Sequence, residues 1–261
     1  LAGAGRAAVQ DHAVGLADAL AVFGEIGLGE AQRRLHANRK HAVLLILQGL
    51  DASGKDSLLR TLAQGLDPAG FRVYSFGRPT PEEAAHDFLW RIIPHLPAHG
   101  HVVAFNRSHY EAVLAERLLD GAPSAKRFWQ SRYRTINAIE KHWHDSGTRI
   151  IKVWLHQSEA EQKERLLKRL DEPRKRWKFD PSDLDTFAQR RPYLDAMADM
   201  VEATSSEEAP WHLIPADNKP HARAAVAGIL LKRLQTLAPE YPNSDPALDA
   251  RYRTLLTAKA E

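Results

Sequence analysis

Residues 43–57 constrain this chain more than any other stretch. The apolar run Val43 to Leu47 stops at Gly49, and Gly54 and Lys55 follow just before the helix-compatible run Ser57-Leu58-Leu59-Arg60-Thr61-Leu62. A buried strand that hands over to a helix through Gly-x4-Gly-Lys is the layout of a phosphate-binding loop. The residue types suit that task. Glycines let backbone N–H groups turn inward around phosphate oxygens, and the helix start contributes free N–H groups and about half a positive charge. The lysine adds a full charge. Gly49, Ala52, Ser53 and Gly54 are therefore candidate phosphate contacts, with Lys55 on the transferred group.

One position departs from the common pattern. The Ser or Thr that usually follows the lysine and ligates magnesium is replaced by Asp56, and Ser57 comes one place late. Within the loop, Asp51 offers carboxylate oxygens suited to a hard cation. Asp51 is accordingly the candidate metal ligand, for Mg2+ with Mn2+ as a substitute, and Asp56 a further phosphate-site residue.

With 261 residues, the chain is long enough for a substantial core. Its 44% apolar and 26% charged residues are ordinary for a globular protein. No apolar run reaches bilayer-spanning length. No signal-peptide pattern is present, and the absence of cysteine rules out disulfides and thiolate metal sites. A cytoplasmic protein with no membrane partner is expected.

The net charge is only +3, but it is unevenly spread: residues 163–178 hold eight basic and three acidic residues. That segment alone carries +5 and the remainder −2. Its first half, Ser158 to Leu170, opens on a serine cap with early acids and ends basic, as helices do. Arg165 and Arg169 lie one helical turn apart and share a face. Alone, such a segment reads as a solvated helix. Behind a phosphate loop it reads as an arginine-bearing lid, because developing phosphoryl charge requires cations and exclusion of water.

The remaining pattern alternates strands and helices. A helical lead-in over 11–40 precedes strand Ala42–Gln48 and helix 55–66. The next elements are strand Arg72–Phe76, helix Glu82–Ile93, strand Val102–Phe105, helices over 109–120 and 125–145, and strand Arg149–Leu155. After the lid come strand Trp211–Pro215 and helix Ala222–Leu237, then a linker-like stretch Ala238–Pro246 and a short polar tail. This order predicts an α/β fold of the P-loop kinase kind: a parallel five-stranded sheet with helices on both faces and a helical lid. The organisation read from it is a lead-in (1–40), a phosphotransferase domain (41–237) with its lid at 158–182, and a tail (238–261).

Ligands of such sheets lie at the carboxyl ends of the strands. Two strand ends converge there: the loop, and Asn106-Arg107-Ser108-His109-Tyr110-Glu111. Ser108 is a plausible N-cap for the next helix. Arg107 directly after a buried strand is costly unless an anion faces it. Arg117, two helical turns beyond Tyr110, could reach the same cleft.

These stretches together resemble the polyphosphate kinase 2 family, P-loop kinases that move phosphoryl groups between inorganic polyphosphate and nucleotides. The likeness runs through Gly49 to Asp56, Pro79-Thr80 with His86 to Arg91, Phe105 to Glu111, the lid from Glu161-Gln162 to Arg176-Trp177-Lys178, and Ala209-Pro210-Trp211 with Ile214-Pro215-Ala216. It covers residues 40–237. The resemblance implies that Asp51 binds magnesium and supports transfer, and that Lys55 meets the transferring phosphate. Asn106 and Arg107 occupy the second motif, in which Glu111 also falls. Arg165 and Arg169 match lid arginines, Lys178 the lysine that closes the lid, and Arg117 an arginine near the polyphosphate.

The motif Phe-Asn-Arg-Ser-His-Tyr-Glu is similar to the subgroup that phosphorylates both nucleoside mono- and diphosphates. AMP and ADP are thus the implied acceptors, ATP a product, with GMP and GDP as further candidates. A homo-oligomer, dimer or tetramer, is implied as well, without nucleic acid as a partner. Ala112 replaces an aspartate usual in that subgroup, and Gly77 a lysine, with Arg78 one place later. Two rival readings share the loop: an ATP-dependent nucleoside monophosphate kinase, and a non-catalytic polyanion- or RNA-binding protein using residues 163–178.

Overall fold

In a computed structural model, which describes residues 27–258, the apolar run becomes the centre of the molecule. Every residue of β1 (Ala42–Gln48) is buried. Such a strand, with no polar alternation, must be covered on both faces. Val43, Leu45 and Leu47 enter one hydrophobic core and Leu44 and Ile46 the other. The first core is closed by α1 (Leu28–Asn38), α2 (Lys55–Gly65) and α9 (Lys219–Leu237). The second is closed by α4 (Lys126–Asp145) and α8 (Arg190–Thr204).

The sheet order is β2 (Phe71–Ser75), β3 (Val102–Asn106), β1, β4 (Thr148–His156), β5 (Trp211–Pro215), all parallel. The chain leaves β1 for one side of the sheet and, after β2, crosses to the other, where Phe76 and Ile92 pack in the second core. The carboxyl end of β1 therefore opens on the crevice where parallel sheets bind ligands. Register brings Leu47 beside Asn106 and Asn106 beside Ser75, so the loop and the second motif meet at one edge of that crevice.

The five strands lie where the sequence puts them, to within a residue at either end, and the expected α/β class holds. The helical lead-in is described only from residue 27 onward, where α1 begins; residues 11–26 of that expectation lie outside the described residues. Two expected helices do not form as such. In place of Glu82–Ile93 there is one short helix, α3 (Pro81–Ala84), and then turns. The His86 ring nitrogen takes the Glu82 carbonyl (2.8 Å), and Asp87 accepts from the Leu89 N–H (3.0 Å). Side chains that bond nearby backbone divert it from α-helix, and the segment closes in a 3₁₀ turn, Ile93–His95.

The segment after β3 forms two 3₁₀ turns, His109–Val113 and Ala115–Leu118, broken at Leu114. Ser108 does cap it, accepting from the Tyr110 N–H at 3.2 Å. Arg132 binds the Ala112 carbonyl, which a continuing α-helix would need for itself.

Two regions are more helical than the sequence reading allowed. After the lid helices α5 (Glu159–Asp171) and α6 (Pro173–Arg176) come α7 (Ser182–Ala188) and α8. The tail contains α10 (Pro246–Thr257), started by Asp245, which accepts from the Ala247 N–H at 2.9 Å, and by Pro246 at its first position.

The second core encloses an ionic cluster. Lys152 Nζ donates to Glu140 Oε2 (2.6 Å), Tyr110 Oη (2.9 Å) and the Thr204 carbonyl (2.7 Å), and the Tyr110 hydroxyl donates to Glu140 Oε1 (2.8 Å). Lys152 has no exposed surface. This cluster pins the turn that carries Arg107 to β4 and α4. Glu140→Ala strands a buried ammonium and is expected to cost about 3–5 kcal/mol, read as a shift in the urea midpoint; a loss below 1 kcal/mol would show that the cluster carries no such weight.

Candidate active site

Three backbone positions shape the loop. Gly49 has φ +151° and Gly54 φ +102°, and a side chain at Gly49 would strike the Leu155 carbonyl, 2.7 Å from a Cβ placed there. Ala52, at φ +64°, adopts a left-handed conformation that costs a non-glycine residue roughly 1–2 kcal/mol. Such strain persists only where the surroundings dictate it.

Lys55 is buried and folds back on its own loop. Its Nζ donates to the carbonyls of Gly49 (2.6 Å) and Leu50 (3.1 Å) and to Ser53 Oγ (3.3 Å). Burial, reinforced by the nearby Arg107 guanidinium, pulls its pKa down to about 8 despite Asp51 and Glu111. An amine so placed is readily drawn to an arriving anion, which would restore its full charge.

The Asp51 carboxylate accepts from Arg107, whose other terminal nitrogen reaches Glu111 Oε2 at 3.3 Å. Arg107 is itself left-handed, at φ +63°. Burial alone would lower its pKa, but Glu111 and Asp51 together hold it above the ordinary value. The ends of β1 and β3 are thereby joined by a charged bridge. Asp56 is more exposed. It accepts from Asn106 Nδ2 at 2.9 Å and from Lys178 Nζ at 3.3 Å, while Asn106 Nδ2 also reaches Ser75 Oγ at 3.3 Å. Burial would raise its pKa, but Asn106 and Lys178 keep it below the usual carboxylate range.

Asn106 Oδ1 is shut off from solvent and accepts no hydrogen bond among the described residues. An unpaired amide oxygen on a side chain that is itself bonded to the Asp56 carboxylate suits a hard cation. Among the described residues no cluster of three or more His, Asp or Glu preassembles a metal centre. A cation here would draw on few protein oxygens, with phosphate and water completing its shell, as magnesium commonly does.

The lid arginines lie one turn apart on α5, as expected, but do not share a target. Arg165 is buried behind the loop. It donates to the carbonyls of Ala52 and Ser53 (3.2 Å each), Ala216 (2.7 Å) and Asp217 (3.0 Å), and pairs with Glu161 at 2.6 Å. Arg169 stays within the lid, on Asp183 Oδ2 (2.7 Å) and the Lys178 carbonyl (3.3 Å). Lys178 is the lid residue that touches the loop helix. Arg117 joins none of these groups: it pairs with Asp199 (2.7 Å) and donates to Tyr133 Oη (3.2 Å). The break at Leu114 replaces the two continuous helical turns that would have carried it toward the loop.

A model of the polyphosphate kinase 2 family matches residues 21–242. The chain is 42% identical over 230 residues to an ADP-polyphosphate phosphotransferase of Rhodopseudomonas palustris, covering 84% of this chain and 80% of that one. It is 43% identical to an AMP/ADP-polyphosphate phosphotransferase of Meiothermus ruber, over 88% of this chain and 85% of the other. The crystal structure of polyphosphate kinase 2 from Arthrobacter aurescens superposes with a TM-score of 0.84 at 40% identity, covering 88% and 82% of the two chains. The chain belongs to the polyphosphate kinase 2 family.

As a polyphosphate kinase 2 fold it has the P-loop kinase architecture that the sequence suggested. Three residues escaped that reading: Gln157, which bonds the Asp51 carbonyl, Ser75, which bonds Asn106, and Arg190, which bonds Gln157 and Gln162. Gln157, the first residue after β4, carried a legible signal, since a polar amide directly after a buried strand needs a partner.

The buried amine yields a pH signature. Below pH 8 the folded protein carries the whole penalty of burying charged Lys55. Between about 8 and the ordinary 10.5 the unfolded chain binds the extra proton, so stability grows with pH. Wild type should therefore gain stability relative to Lys55→Met across that window in guanidinium titrations. A constant difference would contradict the buried, depressed amine.

Proposed function

We propose that the protein transfers a phosphoryl group from inorganic polyphosphate to AMP and ADP, with magnesium, at the crevice between the loop and the end of β3. The observation that carries this reading is the juxtaposition of the Gly49–Lys55 loop with the Asp51–Arg107–Glu111 bridge, in a chain of this family. The names of its relatives supply the donor and acceptor classes, polyphosphate with ADP or with AMP and ADP. GMP and GDP are further candidate acceptors.

The loop N–H groups and Lys55 cradle one phosphate group. Arg107 lies opposite and meets the other, releasing part of its hold on Asp51 as it does so. Asp51, with Asn106 Oδ1 and Asp56, would hold magnesium, which when bound offsets the repulsion between donor and acceptor phosphates. Transfer then needs alignment and charge stabilisation rather than a protein nucleophile, so His86 and His109 have no acid–base role. Lys178 on the lid supplies a cation to the loop side, and Arg169 holds the lid tip in shape through Asp183. Arg165 acts from behind the loop, on its carbonyls. Polyphosphate carries about one charge per unit, so its binding to these Lys and Arg residues weakens with salt, as nucleic-acid backbones do. Among the described residues no helix is long and apolar enough to cross a membrane. The protein works in the cytoplasm and as a homo-oligomer in this reading.

Incubation with magnesium, polyphosphate and either AMP or ADP, without ATP, is expected to yield ADP and ATP, followed by phosphorus NMR or ion-exchange chromatography. Asp51→Asn should lower turnover by at least 100-fold while the thermal midpoint stays within a few degrees. Absence of product from every acceptor would defeat the assignment.

A further inference from the structure

The carbonyls of Asp51, Ala52 and Ser53 are all captured by side chains from the lid side of the loop. Arg165 holds the last two. The Asp51 carbonyl accepts from two amides, Gln157 Nε2 at 2.7 Å and Gln162 Nε2 at 3.3 Å. Both glutamines are almost wholly buried, at 1% and 0% exposure.

Their orientation is fixed by guanidinium groups. Arg190, at the start of α8, donates to Gln162 Oε1 and, through its other nitrogen, to the Gln157 carbonyl at 2.7 Å. Gln157 Oε1 takes Arg165 Nη1 at 3.3 Å. With each amide oxygen claimed by a cation, each amide nitrogen is left to donate toward Asp51. In a trans peptide the carbonyl and the following N–H point in opposite directions. Holding the Asp51 carbonyl from the lid side therefore turns the Ala52 N–H to the far side. It also accounts for Ala52 keeping its left-handed backbone at φ +64°.

We infer that Gln157, Gln162 and Arg190 are positioning residues for phosphoryl transfer: the α8 arginine orients two buried amides, and these hold the Asp51 backbone so that its carboxylate and the Ala52 N–H face the phosphates. This rests on the functional reading above, in which Asp51 serves the cation. The consequence is that α8, which does not touch the crevice through Arg190, sets how well Asp51 serves the reaction. Groups that orient a metal ligand from outside typically alter affinity or activity on the order of 10–100-fold.

Gln162→Glu tests the relay with little change of shape, because a carboxylate keeps the Arg190 partner and loses the donor to Asp51. The variant is expected to lower kcat on the order of 10–100-fold and to raise the half-saturating magnesium concentration. KM for polyphosphate should stay within threefold and the thermal midpoint within a few degrees. Arg190→Lys, which cannot span both acceptors, should show the same signature more weakly. Arg191→Ala, at an exposed residue paired with Asp195, should match wild type. Calorimetric titration with magnesium tripolyphosphate gives a readout independent of turnover, and Gln162→Glu is expected to bind it more weakly.

Wild-type turnover with a Gln162→Glu kcat, magnesium requirement and tripolyphosphate affinity all within twofold of wild type would overturn the relay and leave the functional reading standing. A lower kcat in step with a collapsed thermal midpoint and an unmoved magnesium requirement would reduce these residues to fold support and overturn it too. A wild type that neither turns over nor binds tripolyphosphate would remove the functional reading and the relay together.

Discussion

The charged bridge from Asp51 through Arg107 to Glu111 is the constraint around which the crevice is organised. It unites the ends of two neighbouring strands, and each partner would be costly there alone. Arg107 follows a buried strand in a left-handed backbone, and Asp51 stands in a loop already crowded by Lys55. Opposite charges placed together offset the desolvation of each. In the proposed reaction, the same bridge would keep a carboxylate and a guanidinium where two phosphate groups meet, and substrates would displace it.

Around that bridge the loop is held from two directions. From below, β1 is packed on both faces and admits no polar residue until Gln48. From the lid side, Arg165, Gln157 and Gln162 take up three consecutive carbonyls. The lid base is thus part of the loop's own architecture, while the lid tip reaches the loop through Lys178 and Asp56, a partly exposed pair. An exposed pair of this kind contributes little to stability. The tip contact is therefore cheap to break, whereas the base is tied down by buried hydrogen bonds.

Much of this was legible from residue types. The apolar run to Leu47 and the spacing Gly49, Gly54, Lys55 led to the central strand and its loop, because a strand buried on both faces and a phosphate loop each demand a narrow set of residues. Ser108 was legible as a cap for the same local reason. The helices over 182–204 were missed although Tyr193, Ala196, Met200 and Thr204 recur at helical spacing and are buried. The start of α10 was likewise marked by Asp245 and Pro246. The helix expected over 82–93 gave way to local side-chain bonds of His86 and Asp87, whereas the one after β3 failed because a distant side chain intervened. Arg132 on α4 captured the Ala112 carbonyl and broke the helix expected to carry Arg117.

By itself, the order of residues determined the parallel α/β class, the loop, and which charged side chains gather at two strand ends. Those depend on local spacing and on burial, which adjacent residues set. Only the tertiary structure decided what each arginine faces. Arg165 and Arg169 are equivalent along their helix, yet one closes on the loop carbonyls and the other on Asp183, because the direction of a guanidinium is settled by the acceptors that folding brings within reach, many residues away in the chain.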